Sequence, residues 1–128
     1  NAVQRGRRPR ASLSPRLVFD KASGQLALSG GSPGGALIIH FTAKTLYGVL
    51  NWGLNPQQAI NLPNFGTNNG PSLLVERRFP PATAEALRGR GAEVREQAMT
   101  SGLQAIARTP TGWFGGADPR REGVVMGD

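Results

Sequence analysis

The chain has 128 residues, the size of one domain, with a formal net charge of +7, no cysteine and one histidine. Without cysteine there is neither a disulfide nor a thiolate metal site, and a single histidine argues strongly against zinc, whose ligands usually come from those two residue types. No apolar run approaches the roughly 20 residues of a membrane span. The first residue is Asn and nothing in the sequence resembles a signal peptide, so we expect that the natural start lies upstream.

The positive charge is concentrated at the beginning of the chain. Five arginines precede the first acidic residue, Asp20; they are Arg5, Arg7, Arg8, Arg10 and Arg16. Residues 1–16 are therefore predicted to form an irregular basic arm. Such an arm could contact phosphates, but it lacks interleaved aromatic residues that would stack on bases. The favoured interpretation is a solvated arm, or one paired with acidic groups elsewhere, and we expect no nucleic-acid partner.

Two short apolar runs after the arm predict an antiparallel hairpin. Residues 17–19 and 25–29 are the strands, and the polar stretch 20–24 ends in a glycine that can take positive φ. Because both strands are mostly apolar, we expect burial on both faces.

The glycine-rich stretch at residues 30–35 lies between the second strand and a predicted helix at 36–54. Glycines let a ligand approach the backbone closely, and the first N–H groups of a helix lack intrahelical acceptors. These donors suit either a phosphate or the oxyanion of an acyl-transfer intermediate. The phosphate interpretation is weakened because Ala36 and Leu37 stand where a phosphate-binding loop needs Lys and Ser or Thr. Without further information, a plain tight turn is the simplest interpretation.

The helix after this stretch has an apolar stripe that predicts its buried face. Ile39, Ala43, Leu46 and Leu50 recur at spacings of four, three and four residues. Gly53 is predicted to end the helix as its C-cap. His40 has no second histidine or cysteine to complete a site, so we expect a structural role with its polar edge satisfied locally.

The remaining elements alternate in type. Asn55, Pro56 and Gln58 predict the capped start of a short helix that Pro63 ends. The elements that follow are a loop at 61–71, a strand at 72–76, a helix from 81 to a terminator at 91, strands at 93–96 and 102–108, and an apolar strand end at 113–116. This order predicts an α+β fold without internal repeats, in a single domain that spans residues 1–128, with sheet and helices over 17–128.

Asp118 and Arg120 lie in the final predicted turn. Arginine stays protonated at all relevant pH values, and neither residue has a titrating neighbour in sequence. We expect a structural, partly buried ion pair that fixes this turn.

Four motifs, taken in order and spacing, resemble the C-terminal part of gamma-glutamyltranspeptidases. They are Arg-Pro-Arg-Ala-Ser-Leu-Ser-Pro at 8–15, Gly-Ser-Pro-Gly-Gly at 31–35, Ala-Ile-Asn-Leu-Pro-Asn-Phe at 59–65 with Val-Glu at 75–76, and Gly-Gly-Ala-Asp-Pro-Arg-Arg-Glu-Gly at 115–123. The resemblance covers nearly the whole chain.

This resemblance implies an N-terminal-nucleophile hydrolase, made as a precursor that cuts itself into a large and a small subunit. The chain corresponds to the last part of the small subunit, so the fold would be an incomplete αββα sandwich with a mixed, largely antiparallel sheet. In the family, an N-terminal Thr attacks the γ-glutamyl amide of glutathione, and water or an amino acid then takes the acyl group. That Thr would lie upstream of Asn1, so the isolated chain should be inactive. No cofactor or metal is implied, and the location would be periplasmic or extracellular.

Two family sites correspond to positions in this sequence. Gly34 and Gly35 match the glycine pair whose N–H groups form the oxyanion hole. Ser12 matches the second of two adjacent serines that bind the substrate α-carboxylate, while the first falls on Ala11, which has no hydroxyl. Losing a hydrogen bond to a charged group costs about 1.5 to 3 kcal/mol, so γ-glutamyl binding would be weaker or the acyl group different.

Three functions remain open from the sequence. The first is an acyl-transfer enzyme whose partner is the upstream part of the same precursor and whose substrate is a γ-glutamyl compound such as glutathione, or another acyl group as in related acylases. The second is a non-catalytic module that binds through its basic arm. The third is a truncated product without activity.

Overall fold

The computed structural model describes residues 4–7 and 13–127. The strands are β1 (Arg16–Phe19), β2 (Leu26–Gly31), β3 (Phe65–Gly66), β4 (Ser72–Val75), β5 (Glu93–Glu96), β6 (Gln104–Thr109) and β7 (Gly112–Ala117). The helices are α1 (Ile38–Trp52), α2 (Pro56–Asn61) and α3 (Pro81–Gly89), and a single 3₁₀ turn (Gly35–Leu37) leads into α1. The α+β order expected from the sequence is confirmed.

The larger sheet has the strand order β1-β2-β6-β7 and is antiparallel throughout. One face carries Leu28, Ala105 and Ala107, which are buried against α1 and α2. The predicted alternation in β6 is confirmed, since the residues between these alanines point to the opposite, open face. Leu103, immediately before β6, is buried as well.

The smaller sheet has the order β3-β4-β5, in which β4 and β5 are parallel and α3 forms the connection between them. Its own core consists of Val75, Ala84 and Val94. The main core lies between the two sheets and α1, where Phe41 and Ile60 are almost fully buried. Strand β3 falls within the stretch at 61–71 that the sequence predicts as loop, because only two residues pair with β4.

The capped starts and ends of the helices follow the sequence. The Asn55 side chain accepts from the Gln58 N–H at 2.8 Å, and the Gln58 side chain accepts from the Asn55 N–H at 3.0 Å. Gly53 ends α1 with φ of 66°, a left-handed conformation that glycine adopts without strain.

The predicted buried face of α1 is wrong. Ile39 and Leu50 are 50% and 54% exposed, and Ala43 is exposed as well. The buried positions are instead Ile38, Phe41, Thr42, Lys44, Thr45 and Gly48. The helix is apolar on two sides, so spacing alone could not identify the side that meets the sheet. Some of the buried polar groups on that side are hydrogen-bonded within the helix; Thr45 Oγ1, for example, donates to the Phe41 carbonyl at 3.1 Å.

The predicted antiparallel hairpin forms, but the expected burial on both faces is wrong. Leu17 is 63% exposed and Phe19 is 57% exposed. Helices cover only one face of the larger sheet within the described residues, so apolar side chains on the other face meet solvent. None of the helices in residues 4–7 and 13–127 has both the length and the apolar character needed to traverse a bilayer.

Candidate active-site loop and its buried supports

The glycine-rich stretch forms the end of β2 and a tight loop into α1. Strand β2 continues through Gly31, two residues further than the sequence predicts, and the chain then turns at Gly34 and Gly35. Their φ values are +140° and +61°, a region that side-chain-bearing residues rarely adopt. A Cβ at Gly34 would lie 2.7 Å from Cε2 of the buried Phe41 ring, whereas a Cβ at Gly35 would meet nothing within 4 Å.

The backbone hydrogen bonds of this loop are made by its carbonyl groups. The Gly34 carbonyl accepts from the Leu37 N–H at 3.3 Å, and the Gly35 carbonyl accepts from the Ile38 N–H. Among residues 4–7 and 13–127, by contrast, neither the Gly34 N–H nor the Gly35 N–H has a hydrogen-bond acceptor. No acidic residue lies in the first turn of the 3₁₀ segment or of α1. Two donors without an acceptor among the described residues, at the start of a helix, are the arrangement that would suit a negatively charged group.

An open groove of about 650 Å³ runs along the uncovered face of the larger sheet and ends next to this loop. Its lining includes Ser32, Pro33, Gln104, Ile106 and the tail residues Val125 and Met126. The lining stops at Pro33, so Gly34 and Gly35 lie just beyond the rim of the groove.

Asp118 is the centre of a buried polar cluster behind the loop. It is 2% exposed. Its carboxylate accepts from the Ser101 hydroxyl, from the Leu103 N–H at 3.0 Å, and from the Arg120 N–H and Nη1 at 3.0 and 3.1 Å. Burial alone would raise the pKa of Asp118, but these hydrogen bonds outweigh burial and lower that pKa below its usual value. The predicted ion pair is confirmed.

Arg120 connects this cluster to the smaller sheet. Its guanidinium donates two hydrogen bonds to the Glu76 carboxylate, at 2.9 and 2.7 Å, and also reaches the carbonyls of Ile60 and Leu62. Burial would raise the pKa of Glu76, yet the bonds from Arg120 and from the Asn64 N–H keep that pKa below its usual value. One arginine thus fixes the final turn, the end of α2 and the end of β4.

Lys44 is a buried cation on α1 that sequence reasoning missed. It is 5% exposed and donates to the Ile60 and Leu62 carbonyls and to Asn64 Oδ1, at 3.1, 2.7 and 2.9 Å. Burial, followed by repulsion from Arg120, lowers the pKa of Lys44 from 10.5 to about 7. The sequence signal that could have revealed this burial is the spacing of Lys44, which lies three residues after Phe41 and four before Gly48 and therefore shares their side of the helix.

Asn64 links Lys44 to the Asp118 cluster. It is fully buried, accepts from Lys44, and donates through Nδ2 to Ser101 Oγ at 2.8 Å and to the Met99 carbonyl at 3.2 Å. Sequence reasoning assigned no role to Asn64, Ser101 or Glu76, because their partners are distant in the chain.

The other sequence-predicted positions separate into two groups. Ser12 and Ala11 lie outside the described residues. His40 Nε2 lies 2.8 Å from the Thr67 carbonyl and 3.3 Å from the Thr67 N–H. The expectation of a local partner is therefore wrong, because Thr67 is 27 residues away in the chain. Within the described part of the chain, no group of three or more His, Asp or Glu side chains is placed to hold a metal ion.

Comparisons with known proteins place these features in a family. The family model described as Gamma-glutamyltranspeptidase matches residues 1–128. The glutathione hydrolase proenzyme of Escherichia coli (strain K12) is 35% identical over 122 residues, which are 94% of this chain and 21% of that protein. The acylase ACY 1 proenzyme of Pseudomonas sp. (strain SE83) is 29% identical over 117 residues, which are 91% of this chain and 20% of that protein.

The fold agrees with solved structures. The crystal structure of a Thr-to-Ala mutant of Helicobacter pylori gamma-glutamyltranspeptidase superposes with a TM-score of 0.81 at 26% identity, over 94% of this chain and 67% of that one. The expected N-terminal-nucleophile hydrolase fold is thereby confirmed. The chain spans about a fifth of the length of the curated relatives that it matches. On the match over its full length, the chain belongs to the gamma-glutamyltranspeptidase family.

Proposed function

We propose that this chain supplies the oxyanion-binding loop of an enzyme that cleaves γ-glutamyl amides, with the attacking threonine hydroxyl delivered by an upstream part of the same precursor. The observation that carries the proposal is the pair of consecutive amides at Gly34 and Gly35, which have no acceptor among the described residues. Such a pair is the donor set needed by a tetrahedral acyl-transfer intermediate.

In the proposed reaction, the threonine hydroxyl adds to the γ-glutamyl carbonyl carbon, and the carbonyl oxygen gains the negative charge. The N–H groups of Gly34 and Gly35 then donate to this oxygen more strongly than to the neutral carbonyl. The bond to the amide nitrogen then breaks, the amine leaves with the proton given up by the threonine hydroxyl, and a γ-glutamyl ester remains on the threonine. Water or the amino group of an acceptor amino acid then attacks this ester through a second oxyanion, which the same amides stabilise.

The loop is rigid enough to hold its donors before substrate arrives. Gly34 rests against the Phe41 ring, and the Leu37 N–H fixes its carbonyl. A preorganised donor pair needs no rearrangement in the transition state, which is the source of most electrostatic catalysis. Gly35 is exposed and Gly34 is partly exposed, which supports access of a substrate carbonyl to this loop.

The identity of the acyl group depends on position 11. Ala11 provides no hydroxyl where the family has its first carboxylate-binding serine. Ser12 is proposed to keep one hydrogen bond to the substrate α-carboxylate. Restoring the missing hydroxyl with Ala11→Ser should lower KM for a γ-glutamyl substrate. An unchanged KM would indicate that the pocket accepts a different acyl group, as in the related acylases.

The function is tested by reconstitution. We suggest a chimera in which these 128 residues replace the matching segment of the E. coli glutathione hydrolase proenzyme, assayed with a chromogenic γ-glutamyl anilide. The isolated chain should show no turnover, and the chimera should show turnover. A chimera that folds, by circular dichroism, but does not cleave the anilide would contradict the proposal. Turnover by the isolated chain would contradict an upstream nucleophile.

The alternative of a binding module through the basic arm predicts a different result. Binding to a nucleic acid should weaken steeply with salt and disappear when Arg5, Arg7, Arg8 and Arg10 are all replaced by alanine. We expect no such salt-sensitive binding, because nothing after Asp20 favours it.

A further inference from the structure

The loop that carries Gly34 and Gly35 is tied to the body of the protein at Ser32. Ser32 Oγ accepts a hydrogen bond from the Gly102 N–H at 3.1 Å and donates one to the Pro33 carbonyl at 2.7 Å. One hydroxyl therefore connects the loop both to its own backbone and to a residue 70 positions later in the chain.

Gly102 is itself held in a fixed position. It lies between Ser101, whose hydroxyl donates to Asp118, and Leu103, whose N–H also donates to Asp118. The two residues that flank Gly102 are thus anchored to one buried carboxylate, Ser101 through its side chain and Leu103 through its backbone N–H. The Gly102 N–H, which donates to Ser32, is consequently held in place by the buried Asp118 cluster.

Close packing adds to this contact. A Cβ at Gly102 would lie 2.8 Å from Cγ of Pro33, so the proline ring packs directly on the glycine backbone. On the other side of the loop, the missing Cβ of Gly34 faces the Phe41 ring. Residues 32–34 are therefore held between Gly102 and the first turns of α1.

We infer that Ser32 is a positioning residue for the oxyanion loop, and that it transmits the rigidity of the Asp118 cluster to the Gly34 and Gly35 amides. This inference rests on the proposed function of those amides. Ser32 touches neither the substrate nor the reacting atoms in this scheme; it sets the direction of the two N–H groups. A displacement of about 1 Å in such a constellation is enough to lower the rate about a hundredfold.

The test uses the chimeric precursor with Ser32→Ala and Ser32→Thr. Ser32→Ala removes both hydrogen bonds and should lower kcat by about tenfold to a hundredfold with KM changed less than twofold, since ground-state binding does not need the oxyanion geometry. Ser32→Thr keeps the hydroxyl and should recover most of the lost kcat. Gly102→Ala, whose Cβ would lie 2.8 Å from Pro33 Cγ and 2.9 Å from Arg121 Cδ, should displace Pro33 and lower kcat to a similar extent.

Ser23→Ala is the matched control. Ser23 Oγ donates to Asp20 Oδ1 at 2.7 Å and accepts from the Gln25 N–H at 3.4 Å, so it makes the same number of hydrogen bonds as Ser32 Oγ, in the hairpin turn and away from the loop. Its removal should leave kcat unchanged, so a loss of kcat there would show that any serine truncation disturbs the enzyme and would overturn the inference.

Hydrogen exchange at the Leu37 and Ile38 N–H groups, which donate to the Gly34 and Gly35 carbonyls, separates this inference from the proposed function. Ser32→Ala should speed exchange there while kcat falls. If kcat and exchange both stay unchanged, Ser32 does not hold the loop and the inference alone fails. If exchange becomes faster while kcat stays unchanged, the loop amides do not take part in catalysis, and the proposed function fails with it.

Discussion

Replacing each loop glycine by alanine should give two very different costs, although both variants keep the backbone N–H. At Gly34 the new methyl group would lie 2.7 Å from Cε2 and 3.1 Å from Cδ2 of Phe41. Optimal carbon contacts are about 3.5 to 4.0 Å, and the Phe41 ring, 1% exposed, is enclosed by core residues and cannot retreat freely.

The magnitude at Gly34 has two sources. Overpacking of a filled core costs about 1 to 3 kcal/mol, and a φ of +140° adds about 1 to 3 kcal/mol of backbone strain for a residue with a Cβ. At Gly35 nothing lies within 4 Å, so only the left-handed conformation counts, at about 1 to 2 kcal/mol. Both variants recover about 0.4 to 1 kcal/mol through loss of unfolded-chain entropy, and this gain cancels in their difference. Gly34→Ala should therefore lower the free energy of unfolding by about 3 kcal/mol more than Gly35→Ala.

The assay is equilibrium urea unfolding of the 128-residue chain at low concentration, followed by circular dichroism of the helices. The difference between the two variants is more informative than either value, because both introduce the same methyl group. Equal destabilisation would refute the close contact between Gly34 and Phe41. A larger loss in Gly35→Ala would refute the described loop conformation.

Three other predictions concern the buried cluster and the open sheet. Asp118→Asn removes the negative charge that pairs with Arg120 and turns an NH₂ group toward hydrogen-bond donors. It should lower the free energy of unfolding in urea by about 3 to 5 kcal/mol, and a decrease below about 1 kcal/mol would contradict the buried ion pair. Burial lowers the pKa of Lys44 from 10.5 to about 7 in the folded state, so the unfolded state binds more protons between these values and the free energy of unfolding should rise with pH from 7 to 10. Lys44→Met should flatten that rise, whereas replacing Lys21, which is exposed, should not. The apolar open face should make the isolated chain associate with increasing concentration, and Leu17→Lys with Ile106→Lys should reduce association in sedimentation experiments; a monodisperse wild-type chain would contradict this.

Local signals predicted much of the fold. The capping box at Asn55 and Gln58 and the alternation around Ala105 depend on residues within one element, and the structure reproduces both. The glycine loop was also predicted correctly between strand and helix. This signal is local as well, because glycine is favoured wherever the backbone of a turn takes positive φ.

The buried cluster could not be predicted, because its contacts join distant parts of the chain. Arg120 and Glu76 are 44 residues apart. Lys44 donates to backbone carbonyls, which every residue has, so the sequence does not identify its partners. The face of α1 was misassigned because the helix is apolar on both sides, and only the position of α2 decides which side is covered. There, a Cβ at Gly48 would lie 2.9 Å from the Ala59 side chain, so the small residue marks the true contact.

The most direct test of the account replaces the peptide N–H of Gly35 by an ester oxygen in the chimeric precursor, through incorporation of glycolic acid at that position. The substitution removes one hydrogen-bond donor and leaves the shape of the loop unchanged. Loss of a single oxyanion donor predicts a decrease in kcat of about a hundredfold to a thousandfold with little change in KM. An ester variant that folds and retains the full kcat would contradict the central claim that these amides stabilise the transition state.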